Sequence, residues 1–156
     1  MRTLLPLLLL LSGPALAEAR LTDGQVRAFV ARQEQAWNAG ALDRYFSAFT
    51  PDARFTDQAY VGDKPPVLYG TSTLAQARAQ ARRAGRDTKT REAGQLLRVE
   101  IAADGRSARI ASNETSIVEK AGRTRRLCAT RTQTLDFSGG RVRSRGQTDT
   151  FIKCPR

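Results

Sequence analysis

The sequence predicts an α+β fold in which helices come first and an antiparallel sheet follows. Apolar residues recur at helical spacing in the first half of the chain, whereas they alternate with polar residues in the second half. Short turn sequences at Asp104-Gly105, Ala121-Gly122 and Gly139-Gly140 separate the alternating segments and are typical of β-hairpins. A chain of 156 residues has the length of one ordinary domain.

The first 17 residues have the layout of a secretory signal peptide. Arg2 supplies a short positive region, Leu4 to Leu11 is an apolar run, and Ala15-Leu16-Ala17 offers a cleavage site. The apolar run is too short to span a bilayer as a permanent helix. We therefore expect a periplasmic or secreted protein without a membrane span, in which residues 18–156 form a single domain.

Two helices are expected before the first strand. Thr22 and Gln25 form a capping-box pattern, apolar residues then recur at helical spacing, and Asn38-Ala39-Gly40 is a helix stop. A shorter helix with one apolar face follows, and Pro51 is expected to end it. Alternation of apolar and polar residues over 53–57 then predicts a short strand.

A third helix is expected between this strand and the main sheet. Residues 63–70 contain Pro65-Pro66 and are predicted to form a loop. Thr71 or Ser72 can cap the following helix, which is rich in alanine and runs to about Gly85. The remaining sequence predicts a four-stranded meander that buries one face of the sheet.

The predicted hairpin turns set the register of this meander. A turn at Asp104-Gly105 places Val99 opposite Ile110, and a turn at Gly139-Gly140 places Leu127 opposite Ile152. Apolar residues thus face apolar residues in these two hairpins. The same register points a set of polar side chains inward at mid-strand, namely Gln95, Ser112, Glu114, Arg131, Gln133 and Thr148.

Two segments, AWNAGALD at 36–43 and FTPDARFTD at 49–57, resemble the SnoaL-like and ketosteroid-isomerase-like branch of the nuclear transport factor 2-like superfamily. The resemblance implies a curved antiparallel sheet wrapped around three N-terminal helices, which is a cone-shaped, cystatin-like roll with a pocket. It also implies that Asp57 occupies the position of the isomerases' general base. The positions of the isomerases' two oxyanion-hole acids fall on Gln33 and Gln133.

Inward polar residues beside aromatic walls form the predicted ligand site, because buried polar groups need partners. The site comprises Trp37, Tyr45, Glu114, Arg131 and Gln133. Arg131 offers a fork for an anionic oxygen of a ligand. The alternatives are an internal ion pair between Glu114 and Arg131, and ordinary core packing for the aromatic residues.

The absence of histidine excludes Ser-His-Asp and Cys-His nucleophilic sites and histidine-ligated zinc. We predict no metal and no cofactor. In an oxidising compartment, Cys128 and Cys154 are expected to form a disulfide. Since the two cysteines have opposite parities in the predicted register, their pairing requires a bulge near Gly146 or a tail that folds back past Lys153.

The chain carries 26 Lys and Arg residues against 15 Asp and Glu, and the excess lies in residues 78–156. Arg141, Arg143 and Arg145 share the outward parity of the last strand, and the simplest interpretation is a solvated face. No nucleic-acid partner is expected, because no aromatic residues alternate with these arginines for base stacking. A homodimer is possible, although a row of arginines opposes a dimer through that row.

Three functions are compatible with these observations. The first is an exported domain that binds a small, apolar-to-anionic molecule in a cone-shaped pocket. The second is a pocket enzyme of the isomerase, cyclase or hydratase type that uses Asp57 as general base, with Arg131 or Gln133 steadying a developing oxyanion. The third is an interaction module that acts through its basic sheet face.

Overall fold

The computed structural model describes residues 19–155, so the predicted signal peptide lies outside the described residues. Within that range, none of the helices is long and apolar enough to cross a membrane. The helices and strands follow in the order α1 Asp23–Asn38, α2 Leu42–Ser47, β1 Phe49–Ala59, β2 Val67–Thr73, α3 Leu74–Asp87, β3 Thr88–Ile101, β4 Ser107–Lys120, β5 Arg123–Ser138 and β6 Arg141–Ile152.

The six strands form one curved, open sheet in the order β2-β1-β6-β5-β4-β3. The predicted meander of β3 to β6 is confirmed, with Val99 opposite Ile110. The sheet is mixed, because β1 lies parallel to β6 while the other neighbours are antiparallel. One core cluster packs α1 against β4 and β5, and a second joins α2, β1 and the end of α1.

The first helix begins where the sequence predicts, with Thr22 and Gln25 in a capping box. The predicted cap of the third helix at Thr71 or Ser72 is wrong, because both residues belong to β2 and pair with β1. The cap is instead Thr73, which forms a second capping box with Gln76. The expected loop over 63–70 is therefore shorter, and β2 begins at Val67.

The second helix and the first strand also differ from their predicted bounds. Helix α2 ends at Ser47, and Pro51 lies within β1 rather than at a helix end. Strand β1 includes the predicted segment 53–57 and extends beyond it on both sides. Its additional residues pair with β6, a tertiary contact that local alternation does not reveal.

A bulge in β6 shifts the register of the last hairpin. The register changes between Ser144 and Gln147, where Gly146 has a φ of 140°. A Cβ at Gly146 would lie 1.9 Å from the backbone oxygen of Arg54 on β1, so only glycine fits there. The predicted inward orientation of Thr148 is therefore wrong, since the bulge turns it outward and turns Asp149 inward.

A second bulge, at Leu97 in β3, has the same effect on the other side of the sheet. Leu97 has no partner in the register and is 54% exposed, while Leu96 packs against the core. The predicted inward orientation of Gln95 is wrong, because Gln95 is exposed and Gly94 faces Glu114 instead. Beyond this bulge, Glu92 takes the inward orientation.

The expected disulfide between Cys128 and Cys154 is present, with the two Cα atoms 5.1 Å apart. The predicted pairing of Leu127 with Ile152 is wrong, because the bulge places Cys128 opposite Ile152. This one-residue shift resolves the parity conflict between the cysteines. In the chain-entropy model, a link across this sequence separation stabilises the fold by about 3 kcal/mol.

Candidate functional site

Two adjoining cavities lie between the helices and the inner face of the sheet. The inner cavity, of about 200 Å³, lies over the middle of β4, β5 and β6. The Asp57 cavity, of about 250 Å³, lies between α3 and β1. Walls common to both are formed by Trp37, Tyr45, Gln147 and Asp149.

Arg131 lies in the wall of the inner cavity and is bound by two carboxylates. Its Nε and Nη2 atoms lie 2.7 and 3.1 Å from the two carboxylate oxygens of Asp149. Its Nη1 and Nη2 atoms lie 2.6 and 3.2 Å from the carboxylate oxygens of Glu92. Only 12% of the Arg131 side chain is exposed, and the two carboxylates are buried to a similar degree. The guanidinium fork is therefore occupied by the protein itself.

This cluster keeps Arg131 charged despite its burial. Burial alone would lower the pKa of Arg131, but the neighbouring charges, led by Asp149, raise that pKa well above its usual value. Sequence reasoning missed both Glu92 and Asp149, because each lies beyond a bulge that reverses the parity of its strand. The parity conflict of the cysteines was the signal that could have identified Asp149.

A hydrogen-bond chain connects the cluster to the aromatic wall. The hydroxyl of Tyr45 donates to Oε1 of Gln147 at 3.1 Å, and Nε2 of Gln147 donates to Asp149 at 2.9 Å. Burial raises the pKa of Tyr45, so the phenol stays protonated and keeps this donor role. The ring of Tyr45 also contacts that of Trp37, with the centroids 5.0 Å apart.

Trp37 lines both cavities and carries a hydrogen-bond donor that is not used. Its indole Nε1 is buried and has no hydrogen-bond partner among residues 19–155. Leaving a buried N–H unpaired costs on the order of 1–3 kcal/mol. An acceptor atom of a bound molecule that reached this N–H group would remove that cost. Gln33, Thr50, Arg78 and Gln133 also carry a buried side-chain atom without a partner, but only Trp37 lines the two cavities.

Glu114, a predicted ligand-binding residue, lines the inner cavity but is not hydrogen-bonded to Arg131. The hydroxyl of Ser112 donates to its Oε1 atom. A Cβ at Gly94 would lie 2.7 Å from Oε2, so the glycine leaves room for the carboxyl group. Burial raises the pKa of Glu114, while the positive charge of Arg131 acts in the opposite direction.

Asp57 lies half-buried on β1 and lines the Asp57 cavity. Burial raises its pKa, the charge of Asp149 adds to the increase, and Arg131 opposes it. The apolar walls around it are supplied by α1, α2, α3 and β1. They consist of Trp37, Tyr45, Phe46, Phe55, Ala77, Ala81 and Ala84.

The two glutamines at the oxyanion-hole positions lie together in the structure. Nε2 of Gln133 donates to Oε1 of Gln33 at 3.3 Å, and both side chains are buried. Neither lines the inner cavity or the Asp57 cavity, which separates Gln133 from the other predicted ligand-binding residues. Within residues 19–155, no group of three or more acidic or cysteine side chains is arranged to hold a metal ion.

Comparison with known proteins identifies the fold. No family model matches the sequence, and no curated protein shows significant similarity. The β subunit of benzoate 1,2-dioxygenase from Burkholderia mallei has a TM-score of 0.65 and 17% identity, covering 86% of this chain and 93% of that one. A ketosteroid isomerase-like protein from Erwinia carotovora atroseptica has a TM-score of 0.64 and 11% identity, covering 84% and 96%.

Aln2 from a Streptomyces species has a TM-score of 0.62 and 22% identity, covering 85% of this chain and 94% of that one. A nuclear transport factor 2-like protein from Shewanella oneidensis has a TM-score of 0.60 and 12% identity, covering 81% and 97%. At these identities the likeness shows the fold alone. The predicted nuclear transport factor 2-like architecture is thereby confirmed.

The opposite environments of Glu114 and Glu92 predict opposite effects of charge removal. A raised native pKa means that ionising Glu114 costs stability, a cost absent below the pKa of the unfolded chain and complete above the raised native pKa. Glu114→Gln should therefore stabilise the fold at neutral pH and lose that advantage in acid. Glu92→Gln should destabilise it at neutral pH by about 2 kcal/mol, since Arg131 loses a charged partner.

Urea unfolding of both variants across a pH series measures these effects. Because both variants replace a buried glutamate with its amide, each serves as the control for the other. Equal destabilisation by the two substitutions at neutral pH would show that Glu114 is ion-paired in the same way as Glu92.

Proposed function

Starting from this fold, we propose that the domain binds a small, largely apolar molecule inside the cone, against Trp37 and Tyr45. The observation that carries this proposal is the buried, unpartnered indole N–H of Trp37, a residue that lines both cavities. A bound molecule with one hydrogen-bond acceptor would satisfy it. The shared walls allow one ligand to extend through both cavities.

The charges inside the cone favour an uncharged group at this depth. Four of the five N–H donors of Arg131 can be assigned to Glu92 and Asp149, so the fork predicted for an anionic ligand is already filled. Two further acidic side chains, Glu114 and Asp57, line the cavities. An anion placed beside these groups would be repelled, whereas an alcohol or carbonyl oxygen would not.

A second candidate function is catalysis at Asp57. Its carboxyl group is half-buried among aromatic and alanine side chains. Burial raises the pKa of this group towards neutral pH, which suits a general base. Such a base can remove a proton next to a carbonyl group. Neither Arg131 nor Gln133 is free to steady the oxyanion, so the unpartnered N–H of Trp37 is the donor that fits this role.

An interaction through the outer face of the sheet is less well supported. A groove of about 430 Å³ crosses this face, lined by Arg54, Arg98, Arg109, Arg145 and several threonines. Arg98 lies near Glu100, and Arg145 binds Asp136, so part of the charge is already compensated. A homodimer through this face would bring like charges together.

Export to the periplasm or the exterior is also part of the proposal. The disulfide between Cys128 and Cys154 supports it, because such bonds persist in oxidising compartments. The signal-peptide pattern of residues 1–17 points to the same location.

Replacement of Trp37 by Phe tests the binding proposal, since it keeps an aromatic wall and removes the N–H group. With 1-octanol as probe, calorimetry should show about five-fold weaker binding, which corresponds to one neutral hydrogen bond. Tyr60→Phe is the control, because Tyr60 is an exposed aromatic residue outside both cavities. Identical affinities for the wild type and Trp37→Phe would refute the role of the indole N–H.

The catalytic candidate is tested with Asp57→Asn and a screen of small carbonyl compounds. Loss of the base should lower turnover by about 10²–10⁴-fold. In the wild type, turnover should rise with pH as Asp57 loses its proton, with a midpoint above the usual range of an aspartate. Asp63→Asn in the β1–β2 loop is the control. Turnover that survives Asp57→Asn would exclude Asp57 as the base.

A further inference from the structure

A third and larger space, the mouth cleft, opens where the ends of α1 and α3 meet the start of β3. Its volume is about 770 Å³, which is within the usual range of ligand sites. It is lined by apolar residues and by basic side chains, with one carboxylate among them. The apolar residues are Trp37, Leu42, Ala81, Ala84 and Ile117, the basic ones are Arg82, Arg86, Lys89 and Arg91, and the carboxylate is that of Glu119.

The mouth cleft is continuous with the cone. Trp37 lines the cleft and both cavities, while Thr90 lines the cleft and the inner cavity. Ala81 and Ala84 line the cleft and the Asp57 cavity. Besides Arg82 and Arg86, helix α3 lines the cleft with Ala81, Ala84 and Gly85, and none of its residues is fully buried, so space remains between it and the sheet. The cleft is therefore an entrance to the proposed binding site.

Part of the positive charge at this entrance is not compensated. Arg82 binds Asp43 at 2.8 Å, and Lys89 lies opposite Glu119 in the sheet register. By contrast, neither Arg86 nor Arg91 has an ion-pair partner among residues 19–155, and both are exposed. Free guanidinium groups of this kind bind carboxylate, sulfate or phosphate oxygens.

The cone thus changes in polarity along its length. Its mouth is cationic, its middle is apolar and aromatic, and its floor is rich in carboxylates around Arg131. A ligand matched to this sequence of environments carries negative charge at one end only. The floor would repel that charge and the mouth would attract it, which also fixes the direction of entry.

We propose that the ligand is an amphipathic anion whose apolar body reaches Trp37 and whose anionic group stays in the mouth cleft on Arg86, Lys89 and Arg91. This inference rests on the proposed binding function and assigns its ligand class. It places the anion at the entrance, away from the Arg131 fork that the sequence had suggested.

Three probes of equal chain length test the ligand class: octanoate, 1-octanol and octylamine, all below their micelle concentrations. Trp37 is the only tryptophan of the chain, so its fluorescence reports directly on the site. At low salt, octanoate should bind about ten-fold more tightly than 1-octanol, and octylamine should bind more weakly than either. The preference for octanoate should decline as salt screens the positive charges of the cleft.

The triple variant Arg86→Gln/Lys89→Gln/Arg91→Gln locates the effect. It should lose the octanoate preference while its affinity for 1-octanol stays unchanged. The control is Arg109→Gln/Arg141→Gln/Arg143→Gln, which removes the same charge from exposed positions outside the cleft and should keep the preference. Unfolding midpoints of both variants verify that these exposed substitutions leave the fold intact.

Distinct outcomes overturn the two proposals. Equal binding of octanoate and 1-octanol by the wild type would overturn the anionic ligand class and leave the binding function in place. If the preference for octanoate persists in the triple variant Arg86→Gln/Lys89→Gln/Arg91→Gln, the assignment to the mouth cleft is wrong. The assignment is also wrong if the preference falls equally in this variant and in the control variant. If neither octanoate nor 1-octanol binds or changes Trp37 fluorescence, the binding function itself fails.

Discussion

The burial of Arg131 in the middle of β5 is the constraint on which the rest of the structure depends. A guanidinium that is 12% exposed cannot remain unpaired, because the desolvation of its charge would cost several kcal/mol. Asp149 approaches from the adjacent strand β6, and Glu92 approaches from β3, beyond β4. Each carboxylate points inward because a bulge reverses the side-chain orientation in its strand. The two bulges therefore determine how the floor of the cone is built.

This arrangement is the reason why the ligand we propose differs from the one that the sequence alone suggests. An inward arginine predicts an anion-binding fork, but two carboxylates occupy the fork and leave an excess of acidic groups in the cone. Among the described residues that line the two cavities, Trp37 is the one with a buried side-chain atom that lacks a hydrogen-bond partner, and a neutral acceptor would satisfy its N–H group. Free positive charge lies instead at the mouth, on Arg86 and Arg91. The two ends of the cone therefore differ in charge, with acidic groups inside and basic groups at the mouth.

The sequence predicts the fold and four of the six polar side chains expected to point inward, and the two errors have a physical cause. Side-chain parity is reliable from each turn to the first bulge, so Glu114 and Arg131 face inward as predicted. Beyond the bulges the rule inverts, and Glu92 and Asp149 replace Gln95 and Thr148. Two features of the sequence indicated the bulge in β6, namely Gly146 and the opposite predicted orientations of the two cysteines. The bulge in β3 had no such signal, because Leu96 and Leu97 are both apolar and either satisfies the pattern.

The central claim, that Arg131 is bound by Asp149 and Glu92 and not by Glu114, is tested most directly by two double-mutant cycles of unfolding free energy. One cycle combines Arg131→Met with Asp149→Asn, and the other combines Arg131→Met with Glu114→Gln. We expect a coupling of about 2 kcal/mol or more in the first cycle, since it removes a buried bidentate pair. In the second cycle we expect a coupling well below that value. A larger coupling for Glu114 than for Asp149 would contradict the account.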